Sequence, residues 1–326
     1  MLSSSSDESL LNIRDLKICY QQGEFLIEAL NGINLKVRKG SVTAVIGESG
    51  SGKTTLAHAI LRILPSNAKI VGGNILFKGQ DLFKLSEREM EKIRGREISM
   101  IFQEPVSHLN PVMTVREHLI ETLNLLKGLD KDRAVKEALE LLKVLKIPDP
   151  EKVMNYYPHQ LSGGMAQRIL IALSIAAKPS LLIADEPTSA LDPTIQAQIL
   201  RLLRDLNRNL GISILLITHD LSVVSAIADY IYVMYAGKIC EHGIFSAILT
   251  KPRHPYTQIL LASTLGVGKR VGSESLKVFE KASSELFNSL TGCKFYPRCP
   301  YAKEICKKEE PPPKSIEESS VYCFLY

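Results

Sequence analysis

The chain has 326 residues, of which 45% are hydrophobic and 23% charged, and carries a net charge of +5 at pH 7. These are globular values that exclude a disordered or fibrous chain, and basic residues scattered among acids leave no electrostatic footprint for nucleic acid. No apolar stretch approaches the roughly eighteen residues of a membrane span, and the Ser-rich, acidic start Met1 to Glu8 lacks the basic and apolar regions of a secretion signal, so a cytoplasmic place, free or at a membrane surface, is expected.

The length predicts one full α/β domain and a smaller attachment. Residues 11–38 alternate apolar and polar in two runs, Ile13-Asp15-Leu16-Ile18-Tyr20 and Ala29-Leu30-Ile33-Leu35-Val37, as antiparallel strands would. The apolar run Val42-Thr43-Ala44-Val45-Ile46 then leads straight into Gly47-Glu48-Ser49-Gly50-Ser51-Gly52-Lys53-Thr54, a G-x-x-x-x-G-K-T loop. Between a strand and a helix such a loop turns backbone N–H groups around phosphate oxygens and aims the helix N-terminus at them. Lys53 would reach the β- and γ-phosphates, the Thr54 hydroxyl would ligate Mg²⁺, and Thr55 closes the stretch expected to touch nucleotide. Short strands are expected at Asn74-Ile75-Leu76-Phe77 and Ile98-Ser99-Met100-Ile101-Phe102.

Helical spacing over residues 115–146, with Val135, Ala138, Leu142 and Leu145 on one face, predicts a helical insertion that extends over about residues 105–170. Past Pro148 and Pro150 the α/β rhythm returns: strand 181–184, a helix over 195–206, strand 213–218, and a hairpin around Ala236-Gly237. The two continuous apolar runs suit strands buried on both faces of a parallel sheet. Beyond Tyr256 the pattern weakens, and the boundary falls near residue 260, giving a domain over 1–260 and an extension over 261–326. Four of the six cysteines, Cys293, Cys299, Cys306 and Cys323, crowd into that extension; Cys19 and Cys240 stand apart as small buried residues of strands.

Strand 181–184 ends in Asp185-Glu186, which places one acid to hold Mg²⁺ through its water shell and a second, Glu186, to polarise a water attacking the γ-phosphate. Between this pair and the phosphate loop lies Leu161-Ser162-Gly163-Gly164-Met165-Ala166-Gln167-Arg168. Ser162 alone reads equally as a helix cap, while a Ser-Gly-Gly turn opening a helix is a second anion site.

The complete string resembles the signature of the ATP-binding cassette family, and the motifs from Tyr20 to His219 follow that family's order. The resemblance implies a RecA-like parallel sheet core with an antiparallel β subdomain and a helical insertion. It also implies that Tyr20 stacks on adenine, although a lone tyrosine on an alternating strand also suits the core. Gln103 would touch Mg²⁺ and the water and link the nucleotide to a transmembrane partner. The loop Ser189-Ala190-Leu191-Asp192 would cross a dimer interface, and His219 would contact the γ-phosphate. Two such cassettes face each other head to tail, so Ser162, Gly163 and Gly164 would close over the partner's ATP.

Within the family, Gln103-Glu104-Pro105, Leu109-Asn110-Pro111, Tyr157-Pro158-His159-Gln160, Val233-Met234-Tyr235-Ala236-Gly237-Lys238 and His254-Pro255-Tyr256-Thr257 resemble the ATPase subunits of dipeptide and oligopeptide importers, a group that includes nickel and oligosaccharide importers. The implied partners are two permeases, a paralogous ATPase subunit or a second copy, and indirectly an external solute-binding protein, at the cytoplasmic face of the membrane. The resemblance is weakest over residues 265–289. Four thiolates can hold either zinc or a [4Fe–4S] cluster, or remain free. The wide gaps lack the close Cys pairs of zinc ribbons, and related subunits carry a [4Fe–4S] cluster, so iron–sulfur is the expected cofactor beside ATP and Mg²⁺. A soluble cassette ATPase acting on nucleic acid or ribosomes is the rival reading; the double cassette, coiled-coil insertion or basic extension usual in such proteins is missing from this sequence.

Overall fold

The computed structural model describes residues 9–189, 191–264 and 291–326. Its elements in chain order are β1 (Ser9–Gln22), β2 (Phe25–Arg38), β3 (Val42–Ile46), α1 (Lys53–Leu61), β4 (Ala68–Phe77), β5 (Gln80–Asp81), α2 (Glu87–Ile93), β6 (Ile98–Ile101), α3 (Val115–Lys127), α4 (Lys131–Val144), α5 (Pro150–Val153) and α6 (Gly163–Ile175). They continue with β7 (Leu181–Asp185), α7 (Pro193–Leu210), β8 (Ser213–Thr218), α8 (Leu221–Ile227), β9 (Tyr230–Tyr235), β10 (Lys238–Ile244), α9 (Phe245–Thr250), α10 (Pro255–Thr264), α11 (Glu304–Lys308), β11 (Pro313–Ile316) and β12 (Ser319–Tyr322). The chain forms two compact units: one contains the segment through Arg38, Val42–Lys84 and everything from Ile217 onward, the other Lys39–Ser41 and Leu85–Leu216.

In the first unit β1 and β2 pair antiparallel around a turn at Gly23, within a sheet of order β2-β1-β4-β5. The apolar phase of both strands, Leu11, Ile13, Leu16 and Ile18 with Leu30, Ile33, Leu35 and Val37, is almost wholly buried, as their alternation predicts. The strand at 74–77 is longer than its apolar residues suggest, beginning at Ala68. β3 is buried at every position and pairs in parallel with β9, from Thr43 opposite Tyr230 to Ile46 opposite Val233. Ala236 and Gly237, both at positive φ, close the expected hairpin into β10.

The proline-rich residues near 311–313 gave no expectation of strand, yet β11 and β12 form a hairpin whose second strand pairs with β10, Glu241 opposite Val321 and Gly243 opposite Ser319. Pro313 is the first residue of its strand, a position where the missing N–H costs least. Glu241, fully buried, accepts the backbone N–H groups of Arg253 and His254, both at 2.9 Å, and so fixes the chain's entry into α10.

In the second unit β6 and β7 run parallel, Ile98 opposite Leu181 through Ile101 opposite Ala184, with β8 beside β7. Every residue of β6, β7 and β8 is buried, which is what their unbroken apolar runs require. The helical stretch from residue 115 is two helices, broken at Gly128, whose φ of 66° ends α3. On α4 the buried residues are Ala134, Ala138 and Leu142, followed by Leu145; Val135, expected on that face, is half-buried because the face is offset by one residue. No helix among the described residues is long and apolar enough to cross a membrane.

His242 on β10 stacks on Tyr232 at 4.9 Å, its Nδ1 lies 3.1 Å from the Tyr230 hydroxyl, and burial pushes its pKa down to about 4. The folded value lies below the free one of 6.5, so the unfolded chain binds the extra proton first and stability falls as pH drops from about 6.5 toward 4. His254, also depressed to about 4 by burial, adds to the same slope. Replacing His242 with Phe is expected to flatten the fall in thermal midpoint over this window while leaving the part due to His254; an unchanged slope would remove His242 from the account.

Candidate nucleotide site

Within the first unit, β3 delivers the chain into the phosphate loop and α1 begins at Lys53. Lys53 is 6% exposed, and its Nζ donates to the Gly47 and Glu48 carbonyls, each at 2.8 Å. The ammonium therefore closes the loop on itself. The loop has no room for side chains at its two ends. A Cβ on Gly47 would lie 2.0 Å from the Met234 carbonyl oxygen, and one on Gly52, whose φ is +98°, 2.5 Å from that of Ala29. Ser51 hands its carbonyl to the N–H of Gly237 at 3.0 Å, which ties the loop to the β9–β10 turn.

Thr54 is exposed, while the Thr55 hydroxyl lies 3.1 Å from that of Tyr20 on β1. Tyr20 is thus half-buried with its polar end fixed beside the loop's helix, neither a core tyrosine nor a free one. His219 is exposed at the residue after β8, and the next residue, Asp220, caps α8 by accepting the Ser222 N–H at 2.8 Å.

Two residues that sequence reasoning did not assign also hold the loop. Tyr256, fully buried on α10, accepts the Glu48 N–H at 3.0 Å. Arg298 donates from Nη1 to Glu48 Oε2 at 2.8 Å and from Nη2 to Oε1 at 3.1 Å. Such a forked pair, with the arginine side chain only 15% exposed, is stronger than an ordinary surface bridge of about 0.2–1 kcal/mol. Tyr256 sits in the string His254-Pro255-Tyr256-Thr257, and Arg298 immediately precedes Cys299; residue type alone does not mark either as a partner of the loop.

Within the second unit, Asp185 ends β7 buried at 3% exposure and Glu186 follows in the left-handed region with φ of 46°. The turn brings Glu186 Oε2 to 3.5 Å from Nε2 of the exposed Gln103, at the outer limit of a hydrogen bond, so these two distant residues share one place. Ser162 caps α6, its hydroxyl accepting the Met165 N–H at 3.3 Å. Ser162 and Gly163 are exposed, and Gly164 is half-buried against Ile195, whose Cγ2 would stand 2.7 Å from an added Cβ. Asp192, given to a dimer loop by resemblance, caps α7 with Oδ1 accepting the N–H groups of Thr194 and Ile195 at 3.0 Å. Ala190 lies outside the described residues, as does the stretch 265–289.

Of the residues expected to hold Mg²⁺, Thr54 in the first unit offers a hydroxyl, and Gln103 and Asp185 in the second an amide oxygen and a carboxylate, each a hard oxygen donor of the kind this cation takes. The four cysteines are a different case. Cys293, Cys299, Cys306 and Cys323 all line one small pocket with His254 and Phe295, and none forms a disulfide. Burial pushes the Cys293 thiol up to about 11 and raises Cys299 and Cys323 as well. Among the described residues, no group of three or more His, Cys, Asp or Glu side chains is arranged to hold a metal ion. Cys19 is buried on β1 as expected. Cys240 is buried too but does not stand apart: after burial, the nearby Cys293 is the main influence raising its thiol.

A loop of this form between a buried strand and a helix serves nucleotide phosphates, which makes the chain a P-loop nucleotide-binding protein. A sequence model of the family described as "ABC transporter" matches residues 30–189, and one described as "Oligopeptide/dipeptide transporter, C-terminal region" matches residues 240–306. The oligopeptide transport ATP-binding protein OppD of Bacillus subtilis is 45% identical over 95% of this chain and 87% of its own length. The dipeptide transport ATP-binding protein DppD of the same organism is 42% identical over 98% and 95%. A solved dimeric ATP-binding cassette in a post-hydrolysis state, bound to ADP and Pi, superposes with a TM-score of 0.65 at 30% identity, covering 72% of this chain and 98% of that one. The chain belongs to the ATP-binding cassette transporter family, with that family's cassette fold, and is an ATPase.

Gly52→Ala places a methyl group against the Ala29 carbonyl in a backbone conformation that disfavours it. Nucleotide affinity, read by titration with a fluorescent ATP analogue, is expected to fall roughly tenfold or more; retained affinity would mean that the loop can shift to accept the methyl.

Proposed function

We propose that this ATPase is the energising subunit of an importer of dipeptides or oligopeptides, working at the cytoplasmic face of the membrane with two permeases and a second cassette, a paralogue or another copy of itself. The observation that carries this reading is the 45% identity to an oligopeptide transport ATP-binding protein over 95% of the chain, joined by the match to the transporter C-terminal region. Nickel or an oligosaccharide is the alternative cargo of the same branch. The solute-binding protein of such a system acts from outside, and nucleic acid has no part.

In the proposed mechanism a water attacks the γ-phosphate in line. Glu186 takes the proton, and Gln103, 3.5 Å from its carboxylate, orients that acid. Lys53 neutralises phosphate charge and His219 positions the γ-phosphate. Gly47, Glu48, Ser49, Gly50, Ser51, Gly52, Thr54 and Thr55 cradle the nucleotide and Tyr20 meets adenine. Ser162, Gly163 and Gly164 serve the nucleotide of the facing cassette, and the loop carrying Asp192 meets that cassette. Mg²⁺, when bound, offsets charge on the phosphates, with Thr54, Gln103 and Asp185 to hold it.

We also propose a cassette over residues 1–260, with a helical part over about 105–170, and a cysteine-rich extension over 261–326 that carries a [4Fe–4S] cluster in preference to zinc. Four like thiols around one pocket support a thiolate-bound group. Such a group would cross-link a segment rich in proline and charge.

Glu186→Gln is expected to lower ATP turnover by about 10²–10⁴-fold while nucleotide still binds; full turnover would take the base away from Glu186. Affinity purification of the chain from solubilised membranes without oxygen is expected to recover two permeases and a second cassette, with iron and acid-labile sulfide in the sample. Recovery with ribosomes or DNA alone would overturn the transport reading, and zinc in place of iron the cluster.

A further inference from the structure

Glu48 is an acid inside a loop built to bind an anion. A carboxylate free to face the polyphosphate would repel it by Coulomb's law, and most strongly where protein excludes water. The structure supplies the counterweight from residues far along the chain. Arg298 grips both carboxylate oxygens of Glu48, at 2.8 and 3.1 Å. Its guanidinium is itself held: Nη1 also donates to the Tyr235 hydroxyl at 3.2 Å, and its Cζ lies 5.6 Å from the Tyr235 ring and 5.9 Å from that of Phe295. Behind it Phe295, Tyr235 and Tyr256 pack ring against ring at 4.8 to 5.5 Å.

Glu48 is thus fixed on three sides. Tyr256 accepts its N–H, Lys53 donates to its carbonyl, and Arg298 holds its carboxylate. Two of these three groups, Tyr256 and Arg298, come from the chain between β10 and β11. Arg298 stands in a tight turn bounded by cysteine: Cys299 donates its N–H to the Tyr296 carbonyl at 3.2 Å, and Cys293 donates its own to the carbonyl of Cys306 at 2.8 Å.

We propose that Arg298 is a positioning residue for the phosphate loop: it neutralises Glu48 and turns that carboxylate away from the nucleotide, so the cysteine-bearing segment sets the cassette's affinity for ATP. This rests on the phosphate-loop reading of residues 47–54 and adds to it a control from outside the loop. The contact and the turn that presents Arg298 are made by protein atoms alone.

The test is a double-mutant cycle in the full chain, purified without oxygen, with affinity for a fluorescent ATP analogue as the readout. Arg298→Ala is expected to weaken binding about five- to tenfold, and Arg298→Lys, which keeps the charge without the fork, about two- to threefold. In the Arg298→Ala background, Glu48→Gln should restore affinity toward that of Glu48→Gln alone, because the charge that needed neutralising is gone. Lys53→Ala separates the two readings: if it leaves binding intact, the phosphate-loop assignment fails, whatever Arg298 does. Should Arg298→Ala fail to fold, as judged by its thermal midpoint, Arg298→Lys and Glu48→Gln complete the cycle. Wild-type affinity in the arginine variants, or effects that simply multiply in the double variant, would overturn the proposal.

Discussion

The first unit depends on two places where backbone meets backbone with no space for a side chain. At Gly47 the loop presses against the Met234 carbonyl, and at Gly52 against that of Ala29. The first contact follows from β9 lying parallel to β3 and the second from β2 passing beside the loop, while the β9–β10 turn joins them, Gly237 donating to Ser51 and accepting from Asn31. A phosphate cradle needs a sharply turned loop, and this one is squeezed between β2, the end of β9 and a hairpin turn. The motif is therefore a property of three strands as much as of eight residues.

The second unit reaches a comparable end by backbone strain. Glu104 and Glu186, neither a residue that favours positive φ, have φ of 63° and 46°. One follows Gln103, the other carries the carboxylate that Gln103 approaches. Conformations of this kind cost on the order of 1–3 kcal/mol each and persist where the surroundings over-determine them. Here the buried run of β7 and the capped start of α7 bracket the turn that holds Glu186.

What the sequence made legible was local. The strand-loop-helix string, the continuous runs of β7 and β8, the alternation of β1 and β2 and the Ala236-Gly237 turn all encode their structure within a few residues, where period and steric freedom decide the outcome. What it concealed was pairing at long range. Nothing in the proline-rich tail announces that β12 will add to β10, because the ladder is made by backbone groups that are the same in every residue. Val135 shows a smaller failure: Ala134, its neighbour, is the one buried, and two adjacent apolar residues allow either phase. The roles of Ser162 and Asp192 as caps, by contrast, follow from residue type and could have been read for both.

The bond between Glu48 and Arg298 also bears on how such a chain can change over generations. The two positions are 250 residues apart, yet chemically they are one feature. A lineage that made the loop residue neutral would release the arginine from selection for charge; one that lost the arginine first would leave an acid facing its own nucleotide. If Arg298 acts as proposed, the order of substitution is constrained, loop before tail. Relatives that keep an acid at the loop position without any cation opposite it would contradict this history. The tail that carries the arginine also supplies β12 to β10, so one charge constrains a single position of a segment that the sheet already holds.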